Sequence, residues 1–373
     1  MAMVTQWWDT RRKQPEPAPA MPESPSASSR RIGWDILRVA AVGEVVVFHM
    51  SFLGPATKPG IPPAPFAWTH PCGASVLLVL SGYFAAVTVR KHAPLRWLAR
   101  RLARLLPAYF VAVAVTFALV RLLGPEDLDL HHLTLTDLAG NLLLLQQLLP
   151  GHVRFVDVSF WTLPVQVAGF AAIALLARLR PLRDHALVVL WAAVAAPLLI
   201  RWTWMADNPP TWLVLAIEGT GLARAHLLVA GVAIWMWANR RISAVHLATL
   251  LTATLVAHKV HPPYGNSPML LGVVLLLICL AAKSRDWAAA GTLPIPAPRW
   301  PARSIQWLAG CSYGVYLMHQ SIGYLVEELL AQRGVDPRIW LAAAIATAVA
   351  LGWALTVYVE RPAFAWITRR LDR

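Results

Sequence analysis

Residues 34–53, WDILRVAAVGEVVVFHMSFL, form an apolar run long enough to cross a bilayer as a helix, since about 20 residues suffice. The run also carries Asp35, Arg38, Glu44 and His49. Ionisable groups inside a membrane span are costly, so four in one segment mark a working site. Arg38 and His49 are 11 residues apart. At 3.6 residues per turn that is close to a whole number of turns, so both project from one face, roughly 16 Å apart along the axis. Asp35, three residues before Arg38, shares that face. Glu44 points elsewhere, and the sequence offers no explanation for it.

Whether this run is one span among many is decided by composition. Of 373 residues, 57% are hydrophobic and only 14% charged. With a mean hydropathy of +0.53, this describes an all-α polytopic membrane bundle rather than a soluble enzyme. The 18 Trp fit, because indole rings favour the membrane interface. Further apolar runs fall near 73–89, 105–123, 157–177, 186–204, 222–238, 243–258, 268–282, 304–326 and 339–359, giving about ten transmembrane helices. NLLLLQQLLP at 141–150 is too short to span and reads as interfacial or re-entrant. Residues 1–32 read as a disordered cytoplasmic tail, 33–362 as the membrane domain and 363–373 as a cytoplasmic C-terminal tail.

The formal charge of +14 does not argue for nucleic acid, because the basic residues cluster in alternate loops. On the side of the N-terminal tail the loops hold 24 Lys and Arg, against 8 on the other. That split places both termini in the cytoplasm. Cys72, Cys279 and Cys311 are far apart and odd in number, which gives neither a zinc site nor a disulfide framework. No internal repeat is visible, so nothing suggests an inverted-repeat transporter.

The densest basic stretch is RKHAPLRWLARRLARLLP, residues 90–107. Helical spacing would line up Arg96, Arg100 and Arg104 on one face. Arg90, Lys91 and Arg96 are accounted for by topology alone. Arg101 and Arg104, at the mouth of the membrane domain, read as a phosphate site, because guanidinium forks match phosphate oxygens.

Four stretches together resemble the acyltransferase 3 family of integral-membrane O-acyltransferases. They are WDILRVAAVGEVVVFH with Arg38 and His49; SGY at 81–83 followed by RLARLLPAY at 101–109; SYGVYLMH at 312–319; and VERP at 359–362. The resemblance implies an enzyme of the bacterial cytoplasmic membrane that moves an acyl group, often acetyl, from cytoplasmic acyl-CoA. The acceptor would be a hydroxyl on a sugar, polysaccharide or glycosylated natural product. Arg101 and Arg104 would then hold the CoA phosphates. His49 would act as general base or become acylated itself, and the sequence does not separate the two. Arg38 either pairs structurally with Asp35 or helps bind the donor. Tyr316 and His319, at i and i+3, and Trp161 and Gln166 become candidates for contact with substrate.

One departure bears on activity. Where the family commonly reads Trp-Ser-Leu-x-x-Glu, this chain reads FWTLPVQV, with Gln166 in place of the carboxylate. Gln hydrogen-bonds but cannot serve as a base. Asp157 is a weak substitute, and Glu360-Arg361-Pro362 reads as the end of the last helix. His131 and His132, among Glu126, Asp127, Asp129 and Asp137, match no metal spacing and read as a solvated acidic loop. An alternative from another class is a transporter or lipid-linked sugar translocase without acyl transfer.

Overall fold

The computed structural model describes residues 31–125, 129–205, 208–260, 267–283 and 300–373, and every regular element among them is helical. The N-terminal tail up to residue 30, with Glu126 and Asp127, lies outside the described residues. Helix α1 is Ile32–Phe48, followed by a π-helical turn at His49–Leu53. Next come α2 (Gly73–Thr88), α3 (Pro94–Leu123), the short α4 (Leu135–Leu142) and α5 (Thr162–Arg178). They are followed by α6 (Ala186–Trp204), α7 (Ala225–Ala238), α8 (Ala244–Val260) and α9 (Pro268–Lys283). The chain closes with α10 (Trp300–Met318), α11 (Gln320–Ala331), α12 (Pro337–Leu355) and α13 (Arg361–Leu371).

Six helical stretches among the described residues are long and apolar enough to cross a membrane. A seventh is obtained if Thr211–Gly219 and Leu222–Ala238, bent by 43°, count as one span. The bend falls at Gly221, whose φ of +76° is the left-handed region that favours glycine. The expected ten fall to this number because α8 and α9 are only 17 and 16 residues long, and because α10 and α11, on either side of His319, carry too many polar side chains to count as an apolar span. The basic stretch is not a loop before a span, since it forms the first turns of the 30-residue α3, begun by Pro94. The helix end expected at Glu360 is instead a π-turn, Thr356–Glu360, and α13 carries the chain on against α3.

In lipid, helices associate by close packing, which small residues permit. Gly82 of α2 and Gly231 of α7 make such a contact: a methyl group on either would collide with backbone of the other helix. This pair centres one apolar cluster, built from α2, α5, α6, α7, α8 and α9. A second cluster joins α3, the start of α5 and the end of α10, and a third joins α1, α10, α11 and α12. Helix α1 contributes to all three, with Leu37, Val45 and Val42.

Candidate active site

The bundle contains two cavities at opposite ends, and α1 runs from one to the other. The first, about 410 Å³, is lined by Arg38 near the start of α1, Thr88 at the end of α2, Arg101 and Arg104 early in α3, and Gln166 and Glu360. A neighbouring cavity of about 750 Å³ shares Arg38, Arg104 and Glu360 and adds Arg31, Asp35 and Arg361. The opposite cavity, about 800 Å³, is lined by Glu44 and His49 from the end of α1, Cys72 and Ser75 at the start of α2, and Trp161 beside the start of α5. Gln146, Gln147, Ser159, Glu218, Arg224 and Tyr316 add to its polar lining. Arg38 and His49 therefore share a helix but open into different cavities.

In the arginine cavity, Asp35 is buried and its carboxylate lies 3.8 Å from the half-buried Arg38. Arg38 also faces the Phe84 ring, 5.7 Å from its centroid. Arg101 is the best anchored cation: one terminal nitrogen donates to Phe84 O and to Thr88 Oγ1, both at 2.6 Å. Its guanidinium also sits 5.5 Å from the Trp97 ring and 5.3 Å from Phe170. Arg104 is more exposed, with Nε 3.6 Å from Glu360 Oε1. Gln166 Oε1 accepts from Ser81 Oγ at 3.3 Å. At the rim, Arg96 and Arg100 both reach Asp372, at 2.9 and 2.7 Å. The Arg100 hydrogen bond holds the Asp372 carboxyl below its ordinary value.

The other cavity has its chemistry at an imidazole pair. His49 stands on the π-turn, a distortion found often at functional sites, and its Nδ1 lies 2.8 Å from His319 Nε2. His319 is fully buried in the break between α10 and α11, and its Nδ1 lies 2.6 Å from Tyr316 O. A carbonyl can only accept, so His319 Nδ1 carries the proton. In a neutral ring Nε2 is then an acceptor. His49 Nδ1 must therefore donate, which leaves the lone pair on His49 Nε2, and His49 lines the second cavity.

Tyr316 belongs to both cavities. Its hydroxyl donates to Ser159 O at 2.8 Å and accepts from Thr162 Oγ1 at 3.0 Å. Trp161 stands in the His49 cavity opposite Arg224, 5.5 Å from ring centre to guanidinium carbon. Of the residues singled out from the sequence, the structure thus groups Arg38, Asp35, Arg101, Arg104 and Gln166 at one end. It groups His49, His319 and Trp161 at the other, with Tyr316 between.

Glu44, unexplained by the sequence, is a latch. Its carboxylate accepts from Trp68 Nε1 at 2.8 Å, from Gly73 N at 2.5 Å and from Cys72 N at 3.3 Å. It therefore binds the first amides of α2 and the loop before them, where a negative charge suits a helix N-terminus. Burial, then the Glu44 carboxylate, pushes the Cys72 thiol up to about 12. Asp157, the weak substitute for the missing carboxylate, is engaged in the packing of helix ends. It accepts from Ser159 N and Oγ at 2.8 and 2.5 Å, and from Ser321 N at 2.8 Å, tying down the start of α11.

Among the described residues of the acidic stretch, Asp137 is held by a network of hydrogen bonds and is not solvated, contrary to expectation. Thr134 caps α4 reciprocally with Asp137, which also takes Arg154 N at 2.7 Å and the Arg154 guanidinium at 3.1 Å. Burial alone would raise the Asp137 carboxyl, but the hydrogen bonds from Thr134 and Arg154 outweigh it and hold it below its ordinary value. The expected re-entrant stretch is the turn region after α4, and it delivers Gln146 and Gln147 to the His49 cavity. Sequence reasoning missed both glutamines, Glu218 and Arg224, which reach this cavity from segments the motifs do not cover. Among the described residues no three His, Cys, Asp or Glu side chains converge as a metal site would require.

A helical membrane protein with paired imidazoles over one cavity and clustered guanidiniums over another has the layout of a membrane-embedded group-transfer enzyme. The chain belongs to the acyltransferase 3 family: the family model, described as an acyltransferase domain, matches residues 31–357. It is also similar to the protein called membrane-bound transacylase BcsY in Komagataeibacter xylinus, 30% identical over 179 residues. That match covers 45% of this chain and 42% of the relative, so the chain spans under half of its length. No solved structure matches.

Proposed function

We propose that the protein is an acyl-CoA-dependent O-acyltransferase of the bacterial cytoplasmic membrane, moving an acetyl or similarly small acyl group onto a hydroxyl of a sugar, polysaccharide or glycoside. The observation that carries this reading is the hydrogen-bonded His49–His319 pair, which leaves a basic nitrogen in a cavity separate from the arginines. Residues 33–362 are the catalytic unit, with about ten membrane-crossing segments and both termini in the cytoplasm. The short apolar α8 and α9 support a count beyond the clear spans, and α10–α11 is taken as a further, broken segment.

On this reading the phosphates of CoA lie against Arg104, Arg100 and Arg38, with Arg101 shaping the wall. The acceptor hydroxyl enters the His49 cavity, where Trp161, Gln146, Gln147 and Glu218 offer a ring face and polar groups suited to a polyol. His49 Nε2 removes the hydroxyl proton as the oxygen attacks the thioester carbon. The carbon–oxygen bond forms, the carbon–sulfur bond breaks, and the departing thiolate takes up a proton to leave an ester and free CoA thiol. Buried against Tyr316 O, His319 keeps His49 in the useful tautomer throughout.

The test uses purified protein, labelled acetyl-CoA and a panel of glycoside acceptors. His49→Ala is expected to lower transfer by about 10²–10⁴-fold, the usual contribution of a positioned base. Equal transfer by both proteins would remove His49 from the chemistry. Movement of a glycoside across proteoliposomes with no thioester consumed would replace the reading with a translocase.

A further inference from the structure

We propose that Tyr316 is the gate between the two cavities: its phenol ring closes the passage by which an acyl group reaches His49, and it swings aside once per turnover. This rests on the acyl-CoA reading above, and it concerns how a donor held at one end of the bundle reaches a base at the other.

Tyr316 is the residue that the linings of the arginine cavity and the His49 cavity have in common among the described residues. It is 4% exposed, so its ring fills the partition and is not a surface group. Its hydroxyl is held from both sides. Thr162, which donates to it, lines the arginine cavity, whereas Ser159, whose carbonyl receives its proton, lines the His49 cavity. Both are neutral hydrogen bonds, the weaker kind, so the latch is one that can open. The backbone at the same position does not need to move with it. Tyr316 O fixes the tautomer of His319, and the two rings lie 5.6 Å apart, so the gate adjoins the catalytic pair.

Two consequences follow from a phenol-sized partition. While it is closed, water in the His49 cavity is kept from the thioester. Hydrolysis, in which water replaces the acceptor and yields free acid and CoA thiol, is then suppressed in favour of transfer. While it is open, the space vacated is that of one ring, which passes a short acyl chain and obstructs a long one.

The experiment compares wild type with Tyr316→Phe, Thr162→Val and Tyr316→Ala, each checked for folding by size-exclusion profile and thermal unfolding in detergent. Consumption of acetyl-, butyryl- and octanoyl-CoA is measured with and without acceptor. For Tyr316→Ala the ratio of hydrolysis to transfer is expected to rise about tenfold or more, and octanoyl-CoA to become a substrate, because pocket size discriminates chain length on that scale. Tyr316→Phe and Thr162→Val, which keep the ring and loosen the latch, should raise the hydrolysis ratio by a smaller factor while leaving the chain-length profile intact. Unchanged ratios in these two conservative variants would overturn the gate, whether or not Tyr316→Ala folds. A wild type that consumes none of the thioesters would overturn the gate and the acyl-CoA reading together. A wild type that transfers while all variants behave like it would overturn the gate alone.

Discussion

His49 matters for the nitrogen it leaves unbonded, and that depends on a residue 270 positions away. His319→Phe removes the acceptor that His49 Nδ1 has across the bundle. At about 1.5–3 kcal/mol this corresponds to a fall of roughly 10–100-fold in kcat. His319→Gln, which retains an acceptor oxygen, should recover part of the loss, with no change in donor KM in either variant. Equal activity of the two would show that the hydrogen bond is not what His319 supplies. Gln166 lies in the arginine cavity, not beside His49. Gln166→Glu is thus expected to weaken a phosphate-rich donor through added negative charge, raising its KM about three- to tenfold at unchanged kcat, and less at high salt. A rise in kcat would instead show that a carboxylate is needed here for chemistry. At this scale the placement of Arg38 and His49 on one helical run was legible from the apolar stretch, whereas the separate cavities they line were not. Glu44 was not, since its partners Trp68 and Gly73 follow it by a loop whose path no local pattern records.

At the level of elements, the helical class and most span positions were readable from apolar run length, because lipid admits few other backbones. What was not readable is how helices are interrupted. The π-turns at His49–Leu53 and Thr356–Glu360 and the break at His319 each place an ionisable side chain at a cavity or at the buried pair, and each π-turn leads into a proline two residues on, Pro55 and Pro362, which has no N–H to continue the helical hydrogen bonding. The α4 cap carries its own pH signature. A carboxyl held below its ordinary value stabilises the fold above the unfolded-state value of about 3.9, and this stabilisation disappears as pH falls through the folded value. Protection of the Thr134–Arg154 region from hydrogen exchange should therefore drop below about pH 4 in the wild type. In Asp137→Asn the protection should already be lower by ~1–2 kcal/mol at neutral pH, with little further change on acidification. An identical acid response in both would assign the titration elsewhere.

For the whole molecule, the charge split between loops pointed to one orientation, and the motifs to one family, yet neither indicated two cavities with a shared wall. That arrangement emerges only when both ends of α1, α2 and α5 are placed against α3, α10 and the segment from Val214 to Arg224. It has an electrical consequence. With the two cavities taken to open toward opposite faces of the bilayer and to meet at Tyr316, as proposed above, the low-dielectric path is shorter than the full ~30 Å of hydrocarbon. On that reading a larger share of the membrane voltage falls near Tyr316, next to the place where the acceptor's proton would make His49 an imidazolium. Since one elementary charge is worth about 2.3 kcal/mol per 100 mV, turnover in proteoliposomes should change several-fold when a potassium diffusion potential is imposed, and should invert its response when the potential is reversed. A rate indifferent to voltage of either sign would mean that the charge forms outside the field, and that the two cavities do not focus it.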